Sequence, residues 1–444
     1  EANAGIFQFS ETDPNYLQAL SIAAAQEARE EVDVGKKLEL DEDLKPEDFG
    51  LTDVGLLPTS PFYFVKDIRR GVGSLFTRDP AAKAELKLQY AAEKLLEAKE
   101  VAKKGDVSDK DKGDAIENFK DELEEVKKRV EIAGEKIDEK EKSEDLSRKV
   151  LDATLKYGKS LGNIEKHVSP GLFDHVKDAK DANSEALVST FKVVAPEVVS
   201  NQILKVLDEQ KGSEFKHFKN LEVLKEVETK VPEASKNAIV TVQENALNKL
   251  QAELEKFESA KKSIFEEFVK SAGGNEVRHL EIIHDLEVRP LSKDLRDVVL
   301  GAKEHIFSKA EDRLKNLSEE DKGKYVEHLE EGDFEDIRII KELENNIGEG
   351  VLSGISGLRS RAEQSFVEKI KTAERDENQK KEFLGSIERF HDAKSISVLN
   401  DIEKLIPEDK KNIFAELKNK AAQEIRNDVS RAANASQRQH VYNA

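Results

Sequence analysis

LEVLKEVETKVPEASKNAI, running from Leu221 to Ile239, is the stretch from which the fold is read, because it returns three times further along the chain. It recurs as LEIIHDLEVRPLSKDLRDVV from Leu280, as IRIIKELENNIGEGVLSGI from Ile337 and as ISVLNDIEKLIPEDKKNIF from Ile396, with starts 59, 57 and 59 residues apart. Proline holds the same turn in three copies (Pro232, Pro290 and Pro407), and Gly348 holds it in the copy that begins at Ile337. An aromatic landmark follows the first three starts at Phe265, Tyr325 and Phe383, lying 44, 45 and 46 residues on. Self-similarity at one period marks an array of stacked supersecondary units. Each unit reads as a short helix, a proline turn, a long helix and a shorter return helix; the fourth lacks its return, as a terminal unit can. The array is expected over residues 217–430, with units starting near 217, 279, 335 and 394, followed by a tail at 431–444.

Upstream, the apolar spacing changes from repeats to heptads. Ala84, Leu88, Ala91, Leu95, Ala98 and Ala102 stand alternately four and three residues apart, behind Asp79 as N-cap and Pro80 at the first helical position. Ile116, Phe119, Leu123, Val126, Val130, Ala133 and Ile137 continue the pattern, with Glu124 and Lys128 as an outward i,i+4 pair. Leu146, Val150, Ala153, Tyr157, Leu161 and Ile164 carry it through a third helix. Short connections between long helices force antiparallel neighbours. The expectation is therefore an all-α chain: an elongated antiparallel three-helix coiled coil over residues 56–168, followed by helical repeats with a period of about 58 residues. Its middle helix, Lys110 to Lys142, would span about 50 Å. Residues 169–216, punctuated by Pro170 and Pro196, read as a connector of two helices.

Ahead of the heptads, residues 1–55 read as an N-terminal extension, with one helix from about Asp13 to Glu31 and an acidic stretch, either docked on the body or reaching out as an arm. A short helix is expected from Pro61 to Leu75. The cluster Phe62, Tyr63, Phe64, Leu75 and Phe76 is the one candidate interaction site, either a docking surface for a partner or a plug closing one end of the coil. The adjacent heptads need such a cap, which favours the plug.

Composition agrees with long solvated helices: 444 residues, 37% apolar, 37% charged, and only 23 Gly and 10 Pro. A net charge of -20 leaves no basic surface to neutralise phosphates, so no nucleic-acid partner is expected. No run of 18 apolar residues occurs, so no transmembrane segment is expected in this chain. Cys, Met and Trp are absent, position 1 included, which suggests removal of a secretory signal peptide and an extracellular or cell-surface location.

A search for chemistry leaves catalytic, cofactor and metal sites empty. His279 and His284 are five apart, about 140° round a helix, so they cannot share a metal ion in the way i,i+4 ligands do. His167 and His175 are separated by Pro170, and His217, His279 and His391 lie near unit starts, which suits packing or capping. The acidic run DEDLKPED at Asp41–Asp48 is interrupted by Lys45 and Pro46, which break the alternation a calcium loop needs. Gly71 and Gly73 lack both the preceding strand and the Lys-Ser/Thr ending of a phosphate cradle. Carboxylate pairs such as Glu124 and Glu125 read as a solvated helix face. No GxSxG elbow is present.

The stretch LPTSPFYFVKDIRR…LFTRDPAAKAELKLQYAAEKLLEAK, from Leu57 to Lys99, resembles the signature of an uncharacterised bacterial helical domain family. Its members read approximately LPxSPxYxxK and then FDPxxKAELxLxxAxxRLxEA. Pro58, Ser60, Pro61, Tyr63, Lys66, Phe76, Asp79, Pro80, Lys83, Ala84, Glu85, Leu86, Leu88, Ala91, Leu95, Glu97 and Ala98 stand at the matching places. The resemblance implies a helical, secreted or membrane-anchored protein of the kind found in actinobacteria and candidate-phyla bacteria. It carries over no catalytic or binding residue. Residues and resemblance together lead to an expected non-enzymatic, extracytoplasmic structural protein that self-associates through its repeats into a layer, fibre or stalk. Its partner would be itself or another surface protein. The alternative is a binding or regulatory scaffold that recognises a protein or cell-wall polymer through the array.

Overall fold

The computed structural model describes residues 44–60, 63, 65–66, 70, 77–137, 139–210, 212–213, 215–257, 263–272, 275–348, 357–373, 393–406 and scattered positions between 408 and 426. The expected Asp13–Glu31 helix, most of the Pro61–Leu75 helix, Phe62, Phe64, Leu75, Phe76, Phe383, His391, Pro407 and the 431–444 tail lie outside these residues. Among the described residues all regular structure is helical, and no helix is long and apolar enough to cross a membrane.

Asp79 and Pro80 open α1 (Pro80–Lys103): the Asp79 carboxylate accepts a hydrogen bond from the Ala82 amide at 2.8 Å. Ser108 caps α2 (Asp109–Lys136) in the same way. The chain then turns at Ile137, whose extended backbone ends α2 six residues short of the expected Lys142, and α3 runs from Lys140 to His167. At about 1.5 Å per residue, α2 is about 42 Å long. On its surface Lys128 pairs with Glu125, at i,i+3, at 3.1 Å.

Most heptad residues are buried as their spacing demands, Ala84, Leu95, Phe119, Val126 and Leu161 at 0% exposure, with Ile137 and Ala153 partly so, yet the bundle holds a fourth helix. Helix α4 (Phe173–Val188) lies along both α2 and α3, while α2 and α3 barely touch each other. The four helices thus pack in the cyclic order α1, α2, α4, α3. The physical reason is that α2 and α3 each bury a stripe wider than one partner can cover, and α4 fills the remaining groove with Val176, Ala179, Ala182 and Ala186. Glu122 of α2 ties to Lys87 and Lys94 of α1 at 2.7 and 3.2 Å. Tyr157 of α3 stands edge-on to Phe119 and donates its hydroxyl to the Leu88 carbonyl at 2.6 Å.

Helix α3 serves two cores. Val150, Tyr157 and Leu161 face the bundle, whereas Leu151 and Leu155 join the apolar core of the repeats. Pro196 begins α5 (Pro196–Glu209), which packs on α3. The first unit follows as α6 (Lys216–Glu228), the Pro232 turn, α7 (Glu233–Glu255) and α8 (Ser263–Ser271). The second is α9 (Glu276–Glu287), the Pro290 turn, α10 (Lys293–Asn316) and α11 (Glu319–Val326), which tightens into a 3-10 turn at Glu327–Glu331. Of the third unit α12 (Phe334–Asn346) and α13 (Leu358–Ala373) are described, and of the fourth α14 (Ala393–Glu403). The short first helices α6, α9, α12 and α14 stand in a row, each packed on the next, with the long helices alongside. In α9 every residue from Glu276 to Leu286 is buried, charged ones included.

Candidate functional site

Burying a row of charged helices is costly unless each charge meets a partner. The repeat supplies the partners by position. Four residues into each of the first three units stands a basic side chain, and five residues into the next unit an acidic one. Lys225 Nζ lies 2.9 Å from Asp285, His284 Nε2 lies 2.8 Å from Glu342, and Lys341 Nζ lies 2.7 Å from Asp401. The same two repeat positions therefore meet three times, as a lysine–carboxylate ion pair at the first and third boundaries and as an imidazole–carboxylate hydrogen bond at the second. Contacts also run back along the row: His279 reaches Glu222 at 3.2 Å, and Arg278 reaches Glu226 at 3.3 Å. Burial alone would lower the Lys225 ammonium, but Asp285, Glu335 and Glu281 outweigh it and hold the group above its ordinary range.

A second charged seam joins array to bundle. Arg313 of α10 stacks 4.6 Å over the Phe173 ring and pairs with Glu165 of α3 and, at 2.8 Å, with Glu276 of α9. The landmark Tyr325 donates its hydroxyl to Glu276 at 2.7 Å, whereas its counterpart Phe265 is buried beside Phe215 and Phe218. Lys180 of α4 lies 2.7 Å from Glu165 and 3.9 Å from Glu222, and Lys324 of α11 meets Asp174 of α4 at 2.6 Å. Between these elements lies a cleft of about 660 Å³ lined by charges of both signs. Burial works against the Glu165 carboxylate, yet Lys180 and Arg313 hold it at about 2. Glu165 therefore stands in the cleft as a charged carboxylate paired with two cations. Where α6 crosses α3, Gly158 gives the room: a Cβ there would stand 2.5 Å from Val223 Cγ2.

Of the five aromatic-cluster residues, only Tyr63 lies among the described residues, and it faces inward. Its hydroxyl donates to Glu97 at 2.5 Å and accepts from Arg70 at 2.9 Å. Lys66 also reaches Glu97, and Arg70 bonds Glu97 at 2.7 Å and Glu93 at 3.0 Å. Glu97 is 1% exposed, so a tyrosine and two cations converge on one buried carboxylate of α1. Burial and the neighbouring Glu97 carboxylate push the Tyr63 hydroxyl well above its usual range. The clamp holds the preceding segment, where Lys66 and Lys156 donate to the carbonyls of Val54 and Asp48 at 2.5 and 2.9 Å.

Tyr63, Lys66 and Glu97 are three of the residues that carry the family resemblance, and all lie within one matched segment. Residues 55–169 match the family model of a domain of unknown function (DUF5667). That domain takes in the clamp and helices α1 to α3. Its description supplies no activity. No curated protein matches the chain. Among solved structures, one from the computational design of self-assembling cyclic protein homooligomers is 14% identical, covering 61% of this chain and 99% of its own, with a TM-score of 0.29. A circular tandem repeat protein with novel repeat topology and enhanced subunit contact surfaces is 12% identical, covering 85% of this chain and 78% of its own, with a TM-score of 0.25.

Sequence reasoning missed Arg70, Glu93 and the buried charges of the array, which it took for solvated faces. Glu124 does lie exposed on α2. The signal that separates the two cases is recurrence: Lys225, His284 and Lys341 share one repeat position, and Asp285, Glu342 and Asp401 share the next. His217 and His279 are buried at 3% and 0% exposure, in packed positions near unit starts.

Proposed function

We propose that the chain is a non-enzymatic, extracytoplasmic or cell-surface structural protein whose repeats self-associate into a layer, fibre or stalk. The observation that carries this reading is the joint made three times at one pair of repeat positions, Lys225–Asp285, His284–Glu342 and Lys341–Asp401. Surfaces that join a unit to its neighbour within one chain can join units of two chains when an element is exchanged between copies. The net charge of -20 opposes nonspecific clustering and leaves association to such matched joints. Sedimentation and electron microscopy of the purified chain test the proposal. Concentration-dependent oligomers or filaments are expected, and a particle that stays monomeric at high concentration, with and without divalent cations, overturns it.

The cleft favours a second reading, a binding scaffold for a surface protein or cell-wall polymer. At about 660 Å³ it falls in the range of ligand-binding clefts. Envelope material retained by the intact chain and lost on deletion of residues 217–430 would support it; equal retention by both would sink it.

A further inference from the structure

The spacing that keeps His279 and His284 from sharing a metal gives them separate neighbours. Five residues apart on α9, they point about 140° away from each other. His279 meets unit one and His284 meets unit three, with Nε2 at 3.2 Å from Glu222 and 2.8 Å from Glu342 respectively. Both rings are at 0% exposure. Because each Nε2 faces a carboxylate, a neutral ring carries its proton there, leaving Nδ1 as a lone pair. Neither Nδ1 has a hydrogen-bond partner among the described residues. A second proton would be a buried N–H with no acceptor, a costly group in a packed core.

The surroundings reinforce this. His279 is faced by Lys219 and Glu222 of α6, by the Phe218 ring at 5.0 Å, and by Lys309 of α10. His284 is faced by Glu342 and Arg338 of α12, Lys303 of α10 and Glu287 of its own helix. Each carboxylate is already shared with a lysine: Lys219 lies 3.2 Å from Glu222, and Lys303 2.8 Å from Glu342. Burial, seconded at His284 by Lys303, holds both imidazoles below their ordinary 6.5. In the bundle His175 is 42% exposed at its side chain, and His167 is exposed as well.

We propose that α9 is a pH-sensitive joint: mild acid loosens its contacts with the units on both sides, and the array softens there while the four-helix bundle stays closed. The direction follows from proton linkage. Rings that are harder to protonate when folded contribute stability that is full above about pH 6.5 and drains away as the pH falls below it. The window opens above the acid range in which carboxylates such as Glu165 and Glu222, held low, give up theirs. His217, pushed down to about 4 chiefly by burial, acts with the same sign from α6.

Hydrogen exchange on the full chain, expressed as protection factors so that intrinsic rates cancel, tests the joint. Between about pH 7.5 and about pH 5, protection in α9 should fall about tenfold or more, with α1 and α2 changing far less. The H279Q/H284Q variant keeps a donor for each carboxylate and cannot take up the proton, so it should lose much less protection in α9. A fall in α9 no larger than in α1, or one unchanged by the double substitution, overturns the proposal. Should the variant fail to fold, histidine ring NMR of the unmodified chain decides. Both rings still neutral near pH 5.5 support the joint, and rings that titrate near their ordinary 6.5 in an intact array refute it.

Discussion

Lys225 Nζ and the Asp285 carboxylate lie 2.9 Å apart across the boundary between the first two units, at repeat positions that carry His284 and Glu342, then Lys341 and Asp401, at the next two boundaries. Lys225 also stands 3.8 Å from Glu281 and 3.6 Å from Glu335, so one ammonium balances three acids drawn from two following units.

Removing that ammonium leaves the acids buried together. Lys225→Met should cost about 3–5 kcal/mol in urea unfolding, the usual penalty for breaking a buried ion cluster on one side. Lys128→Ala, at the exposed Lys128–Glu125 pair, should stay within about 0.5 kcal/mol. Equal effects of the two would show that the row of charges is not what joins the units.

Gly158 separates helix propensity from packing. Alanine in a helix interior ordinarily gains about 1 kcal/mol over glycine. Here its Cβ would press within 2.5 Å of Val223, so Gly158→Ala should destabilise by about 1–3 kcal/mol. Val223→Ala in the same chain should recover most of the loss. A double-mutant cycle with no coupling would contradict the close approach of α3 and α6.

How much of this was legible beforehand differs by element. Asp79, Pro80 and the heptads announced α1 to α3, and Pro232 and Pro290 marked the turns before α7 and α10. A helix after Pro170 is expected from the sequence, but its place in the bundle is not, because its buried face is built of alanines, Ala179, Ala182 and Ala186, whose small side chains give weak amphipathic contrast. The charges were visible at fixed offsets, but a single strand of sequence does not say that adjacent units lie side by side. Burial turned the same letters from a solvated face into a joint. At the clamp, Tyr63 stood inside an aromatic cluster and drew an apolar reading, while its hydroxyl is what the structure uses.

Tyr63→Phe should therefore cost about 1–2 kcal/mol, since Glu97 loses a donor and Arg70 an acceptor. Glu97→Gln, which leaves Lys66 and Arg70 facing a neutral amide, should cost more, about 3 kcal/mol. Both substitutions should speed proteolysis between residues 44 and 60 before any change in the array. Array and clamp giving way together would show that the two are not separate.

Glu165 predicts the acid limb of unfolding. Its carboxyl is held at about 2 when folded against an ordinary 4.5, so its contribution is complete above 4.5 and is lost as the pH falls towards 2. The full contribution is about 3 kcal/mol. Glu165→Gln should lower the urea midpoint at neutral pH and flatten the decline between about pH 5 and about pH 3. A variant as steep as the parent in that range would remove Arg313 and Lys180 as the cause.

The shared joint also bears on how such a chain changes length. Excising one whole period, from Leu280 up to the residue before Ile337, would bring Lys225 of the first unit opposite Glu342 of what had been the third, again a cation against a carboxylate. A cut one residue out of phase would set that ammonium against Lys341 or Leu343. Unit number is then a variable that duplication or deletion can alter in whole steps, with no new contact to invent at the splice.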